Sequence, residues 1–175
     1  MRWITFLVAI ILLSPCQGMA QADEAEPFFA RGNFRLLGDS RHSLQLSAGV
    51  FDLGNKYTSP AAAVELRFGH KLGFIGPLIG VMANTDGGVF AHAGIYADMQ
   101  WRRLSITPAW SAGAYRQGNS RDLGGTLELR SALTLAWVFD RGSRLGVHLA
   151  HISNGKLHEK NPGENDVMLS YAFPF

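Results

Sequence analysis

Apolar and polar residues alternate one for one over eight separate stretches of the chain, near 43–51, 61–70, 73–84, 88–99, 103–113, 125–138, 143–153 and 166–175. A period of two is the mark of a strand whose faces meet different surroundings. The sixth stretch is the clearest, with Leu127, Leu129, Leu133, Leu135 and Trp137 on one face and Glu128, Arg130 and Thr134 on the other. A soluble sandwich would bury the apolar face. Here the opposite faces carry Glu65, Arg67, Asp98, Glu128 and Arg130, charges able to pair across a narrow interior, which leaves the apolar faces to lipid. The pattern predicts an all-β fold, an eight-stranded antiparallel transmembrane β-barrel.

The connections point the same way, because membrane barrels alternate tight turns with longer loops. Those near 70–73, 100–103 and 140–143 are short, whereas 52–60, 114–124 and 154–165 are longer and hold Gly, Asn, Ser and Pro. The link at 84–88 is short and interrupts the alternation. With both termini in the periplasm, the longer links fall outside the cell. Val167, Leu169, Tyr171, Phe173 and Phe175 alternate to the final residue, which resembles the end signal read by the outer-membrane assembly machinery. Trp110 and Trp137 suit the aromatic belts at the two interfaces.

The first residues carry a different message. Arg2, the uncharged run Ile4 to Leu13 and the small-residue site Ala20-Gln21-Ala22 read as a secretory signal peptide over 1–22, leaving a barrel over 23–175. The apolar run is about ten residues, half of what a spanning helix needs. Cys16, the one cysteine, falls inside that segment, so the mature protein is expected to have neither disulfide nor thiol, and Pro15 before it fits a lipoprotein signal poorly. A formal charge of +2 gives no broad basic surface, which argues against nucleic acid as a partner.

Chemistry enters in the seventh stretch, where Leu145, Val147, Leu149, His151 and Ser153 share one parity, so the lipid-facing side ends in a histidine and a serine. Their Cβ atoms, two residues apart on a strand, lie about 6–7 Å apart, within rotamer reach of a hydrogen bond. Polar groups facing lipid cost free energy, and an imidazole is the usual base for a serine hydroxyl. Solvated polar residues at a strand end are an equally good reading of the spacing alone.

The words around the pair say more. His151-Ile152-Ser153-Asn154-Gly155, then Asn161-Pro162-Gly163-Glu164-Asn165, then an alternating strand to the terminus, resembles the C-terminal region of the PagL family of lipid A 3-O-deacylases over about residues 144–175. The resemblance implies an outer-membrane barrel that removes the 3-hydroxyacyl chain at position 3 of lipid A, as a serine esterase with no metal and no cofactor. It implies Ser153 as nucleophile, His151 as general base, and Asn154 with the backbone N–H groups at or after Gly155 as the oxyanion site. The family's histidine-orienting glutamate falls by spacing on Asn165, with Glu164 before it and Asp166 after. Glu164, in a loop and free to turn, ranks ahead of Asn165, and Asp166 third because its parity points inward.

The implied partners are lipid A within lipopolysaccharide, the outer membrane itself and, during insertion, the assembly machinery; a homodimer stays open. Three rival readings remain: a non-catalytic small barrel, another outer-membrane lipid enzyme such as a phospholipase or acyltransferase, and a soluble periplasmic β-protein with a lipophilic ligand. His42, His70, His92, His148 and His158 show no metal-ligand spacing. His92 reads as a satisfied interior histidine, and His148 as an inward packing group. His158 and the outer-end cations Arg116, Arg121, Lys156 and Lys160 could meet lipid phosphates, or be solvated loop charge.

Overall fold

The computed structural model describes residues 25–175, so the expected signal peptide and Cys16 lie outside the described residues. Ten strands follow one another: β1 (Pro27–Arg31), β2 (Phe34–Leu37), β3 (Ser43–Phe51), β4 (Ser59–Arg67), β5 (Ile75–Asn84), β6 (Val89–Trp101), β7 (Leu104–Arg116), β8 (Leu127–Val138), β9 (Arg144–Ser153) and β10 (Glu164–Pro174). From β3 to β10 each strand pairs antiparallel with the next, and β10 closes back on β3 from Val167↔Val50 to Pro174↔Ser43. The eight form a closed barrel, which satisfies every strand edge and so permits life in lipid.

The alternating stretches all became strands, with ends shifted by a few residues; β10 starts at Glu164 rather than 166, and β7 runs on to Arg116. The alternation did not announce the β1–β2 hairpin. Strand β6 outruns its partner β5, whose last pair is Ile75↔Ala97, and β2 takes over the exposed edge from Leu37↔Asp98 to Phe34↔Trp101. The hairpin thus covers a stretch of edge at the end where the chain termini and the short turns lie.

The outward faces are apolar: Leu127, Leu129, Leu135 and Trp137 of β8, Leu145, Val147 and Leu149 of β9, and Leu169 and Tyr171 of β10 are all exposed. The inward faces are polar toward the short-turn end. There Arg67 donates to Glu65 at 2.7 Å and Arg144 donates to Asp98 at 2.8 Å, while nearer the long loops Arg130 meets Asp166 at 3.2 Å and reaches Glu65 at 3.9 Å. Most of the charges read from the sequence therefore do pair across the lumen. Glu128 departs from that expectation, because its carboxylate is buried with no hydrogen-bond partner among the described residues. Lys71, in the turn after β4, reaches in to Asp98 at 3.6 Å. Burial pushes its ammonium below the usual lysine range, against the opposing pull of Asp98.

Toward the long-loop end the lumen is plugged by Phe51, Met82, Phe90, Tyr115, Leu123, Ile152 and Met168. His148 does face inward, fully buried against Thr134 at 2.9 Å and Arg130 at 3.0 Å. His92 stacks on Phe90 with 5.1 Å between ring centroids, but its Nδ1 finds no partner among the described residues, contrary to a satisfied interior histidine.

Candidate active site on the outer wall

Strand β9 carries His151 and Ser153 outward at the long-loop end, continuing the exposed series Leu145, Val147 and Leu149. Register then decides their neighbours. His151 lies directly opposite Ser131 of β8 on one side and Asn165 of β10 on the other, while Ser153 lies opposite Leu129. Ser131 in turn faces Trp110 of β7. One row across the wall therefore reads Trp110, Ser131, His151, Asn165, with Ser153 one step nearer the loops.

The Asn165 Oδ1 and His151 Nδ1 are 3.0 Å apart. With the amide oxygen toward the ring, Nδ1 carries the proton and Nε2 is left as a free base. Ser153 is partly exposed and makes no side-chain hydrogen bond among the described residues, so nothing competes for its hydroxyl. Its position beside His151 on the strand keeps the two within rotamer reach.

Glu164 sits elsewhere. Because β10 already begins there, its alternation turns Glu164 into the lumen, where Oε2 accepts the Asp52 backbone N–H at 3.2 Å. Asp166 is also inside, on Arg130. Of the three acid candidates, only Asn165 touches His151.

Asn154 is buried, and its side chain is fully committed. Nδ2 donates to the Leu123 carbonyl at 2.8 Å and the Lys160 carbonyl at 2.6 Å, and Oδ1 accepts the Lys156 N–H at 3.0 Å. Its own N–H goes to Asn161 Oδ1 at 3.0 Å. This asparagine staples the loop 154–163 to the loop 117–126, leaving no donor for an oxyanion. The Gly155 N–H has no partner among the described residues. Gly155 adopts φ 60°, and a Cβ there would stand 3.2 Å from Leu129 Cδ1, above the residue that faces Ser153.

Gly163, a residue of the Asn161–Asn165 motif, lies against the His151 imidazole. A Cβ on it would come within 2.8 Å of His151 Cε1 and 3.2 Å of Nε2, at a backbone φ of 61°. Only glycine lets the loop lie flat on the imidazole. Gly163→Ala is expected to tilt the ring away from Asn165 and lower turnover by about tenfold or more, while a thermal melt of the barrel moves little. Steady-state kinetics beside the melt checks this.

Among the outer-end cations, Arg121 is held by Asp52 at 2.7 Å and Lys160 lies 3.8 Å from Asp122. Arg121 is thus committed to its own chain. His158 packs its ring on Gly125, where a Cβ would come within 2.0 Å of it. No group of three or more His, Cys, Asp or Glu side chains able to hold a metal occurs among the described residues.

The family model for lipid A 3-O-deacylase, PagL, matches residues 30–174. The chain belongs to the PagL family. No curated protein matches it. Among solved structures, the fold is similar to a crystal structure of the outer-membrane enzyme PagL, with TM-score 0.59 and 14% identity over 76% of this chain and 99% of that one. A de novo designed transmembrane β-barrel is similar at TM-score 0.52 and 10% identity, covering 79% of this chain and 100% of the design. A design with no evolutionary history shares the architecture, so the likeness in shape speaks for the barrel. The family match carries what lies beyond it: this is an outer-membrane barrel of a lipid A deacylase family.

Proposed function

We propose that this barrel is a serine esterase of the outer leaflet that hydrolyses the 3-hydroxyacyl ester at position 3 of lipid A. The observation that carries the reading is a polar cluster, His151 bonded to Asn165 and flanked by Ser153 and Ser131, set into an otherwise apolar, lipid-facing wall. Such groups cost free energy in that setting, and membership of a lipid A deacylase family supports an ester hydrolysis as their use.

In the proposed reaction Ser153 Oγ attacks the ester carbonyl carbon as its proton passes to His151 Nε2. Asn165 Oδ1 accepts the Nδ1–H and holds the ring in the required tautomer. The Gly155 N–H stabilises the tetrahedral oxyanion, the usual large electrostatic contribution in acyl transfer. Collapse breaks the bond to the sugar oxygen, which takes the proton from His151, and leaves an acyl-Ser153 ester. Water, deprotonated by His151, then attacks that ester, and the bond from the acyl carbon to Ser153 Oγ breaks as the serine takes the proton back from His151. The products are 3-O-deacylated lipid A and a free 3-hydroxy fatty acid, and the steps use no cofactor.

An amide in place of a carboxylate orients the imidazole but stabilises imidazolium less. Asn165→Ala is expected to lower kcat about 100-fold by freeing the ring, Asn165→Glu to raise it, and Glu164→Gln to cost far less than Asn165→Ala. Kinetics on purified lipid A ranks the three. A large loss in Glu164→Gln with none in Asn165→Ala would transfer the orienting role to Glu164.

The nucleophile is tested by incubating the folded protein with a long-chain organophosphorus ester and mapping the modified peptide by mass spectrometry. Phosphonylation at Ser153, lost in His151→Ala, is the expected result. An unmodified Ser153 in protein that hydrolyses lipid A would overturn the mechanism.

A further inference from the structure

An open groove of about 390 Å³ runs down the outer wall from the His151 row toward the middle of the membrane. Trp110, Leu133, Leu149 and Val167 form its sides, and Ala132 and Ala150 lie between them. Ser131, His151 and Asn165 stand at its upper end. Ser131 breaks the series Leu127, Leu129, Leu133, Leu135, and it is exposed with no side-chain hydrogen bond among the described residues. A lone hydroxyl on a lipid-facing strand does nothing for packing and costs desolvation until it finds a partner.

The position of that hydroxyl suggests its partner. Ser131 is directly opposite His151 and therefore diagonal to Ser153, with Cβ atoms about 7–8 Å apart. An acyl chain whose carbonyl carbon is at Ser153 and whose tail enters the groove must pass Ser131 within its first few carbons. The third carbon of a 3-hydroxyacyl chain carries its only other polar group. Resting on the deacylase reading, we propose that Ser131 is a specificity-determining residue that hydrogen-bonds the 3-hydroxyl of the acyl chain, while the tail lies in the groove. Without that bond, either hydroxyl is left unpaired beside lipid. A site that pairs a substrate hydroxyl discriminates against an analogue lacking it.

The test compares two synthetic esters of one glucosamine derivative, 3-hydroxytetradecanoyl and tetradecanoyl, in mixed micelles. The wild-type protein is expected to favour the hydroxylated ester in kcat/KM by about tenfold, the size of one hydrogen bond at a partly open site. Ser131→Ala and Ser131→Val should bring the ratio to about one, through loss on the hydroxylated ester, and Ser131→Thr should keep most of the preference. Heat-modified migration on a gel verifies that each variant is a folded barrel. An unchanged ratio in folded Ser131→Ala overturns the inference, as does an equal loss on both esters, which would mark Ser131 as part of the reaction itself. Failure of the wild type to hydrolyse either ester, or lipid A, would overturn the deacylase reading and this inference with it.

Discussion

Replacing Ser153 with alanine is expected to lower lipid A deacylation by at least about 10³-fold, with the barrel folded as before. The hydroxyl faces outward, it is partly exposed, and its loss leaves no buried polar group without a partner. Nothing in the stability of the barrel depends on it. The effect on catalysis is large because the reaction then has no covalent route, and His151 is left to activate water alone. His151→Ala should cost about as much, and the double variant little more, since residues that act as a unit are not additive. A Ser153→Ala protein retaining a tenth of wild-type activity would mean another nucleophile, and Ser131, directly opposite His151, would be the first to examine.

Arg130→Ala is expected to have the largest effect on stability, about 3–5 kcal/mol of destabilisation, as for a broken buried ion pair. Arg130 is buried in the lumen with Asp166 at 3.2 Å, Glu65 at 3.9 Å and His148 at 3.0 Å. Glu65 keeps Arg67 at 2.7 Å when Arg130 is removed, but no other salt bridge reaches Asp166 among the described residues. The uncompensated carboxylate is the main cost. Removing both charges should therefore recover much of the loss, so Arg130→Met combined with Asp166→Asn is expected to be more stable than Arg130→Met alone. Urea unfolding in phospholipid vesicles measures all of these. Asp166 is the neighbour of Asn165 on β10, so some loss of activity should accompany the loss of stability.

These two residues also mark what was readable in the chain. The inward parity of Arg130 and the outward parity of Ser153 both follow from counting by two, because a pleated strand alternates its faces strictly. The location of the strands and the closure into a barrel follow from the same count. Partners across strands do not, because they depend on register and on where a strand begins. Strand β10 begins two residues earlier than its apolar alternation suggested, and that offset turns Glu164 inward and brings Asn165 onto His151.

Ser131 carried a weak signal, a polar residue in an outward leucine series, which gained meaning only once β8 was set beside β9. Asn154 reads as chemistry in the motif, whereas its amide holds two loops together. Gly163 is a similar case, since a glycine in a loop is unremarkable until an imidazole is found lying on it. The β1–β2 hairpin was hidden for another reason. Its short strands have little alternation, and the pairing arises because β6 is longer than β5.

The central claim, a serine esterase acting on lipid A from the outer wall, is tested most directly by mass spectrometry of lipid A from bacteria expressing the full chain or its Ser153→Ala variant at equal surface levels. The account predicts lipid A lighter by one 3-hydroxyacyl group with the wild-type chain and unchanged lipid A with the variant. Unchanged lipid A in both, with the barrel folded in the outer membrane, would contradict it.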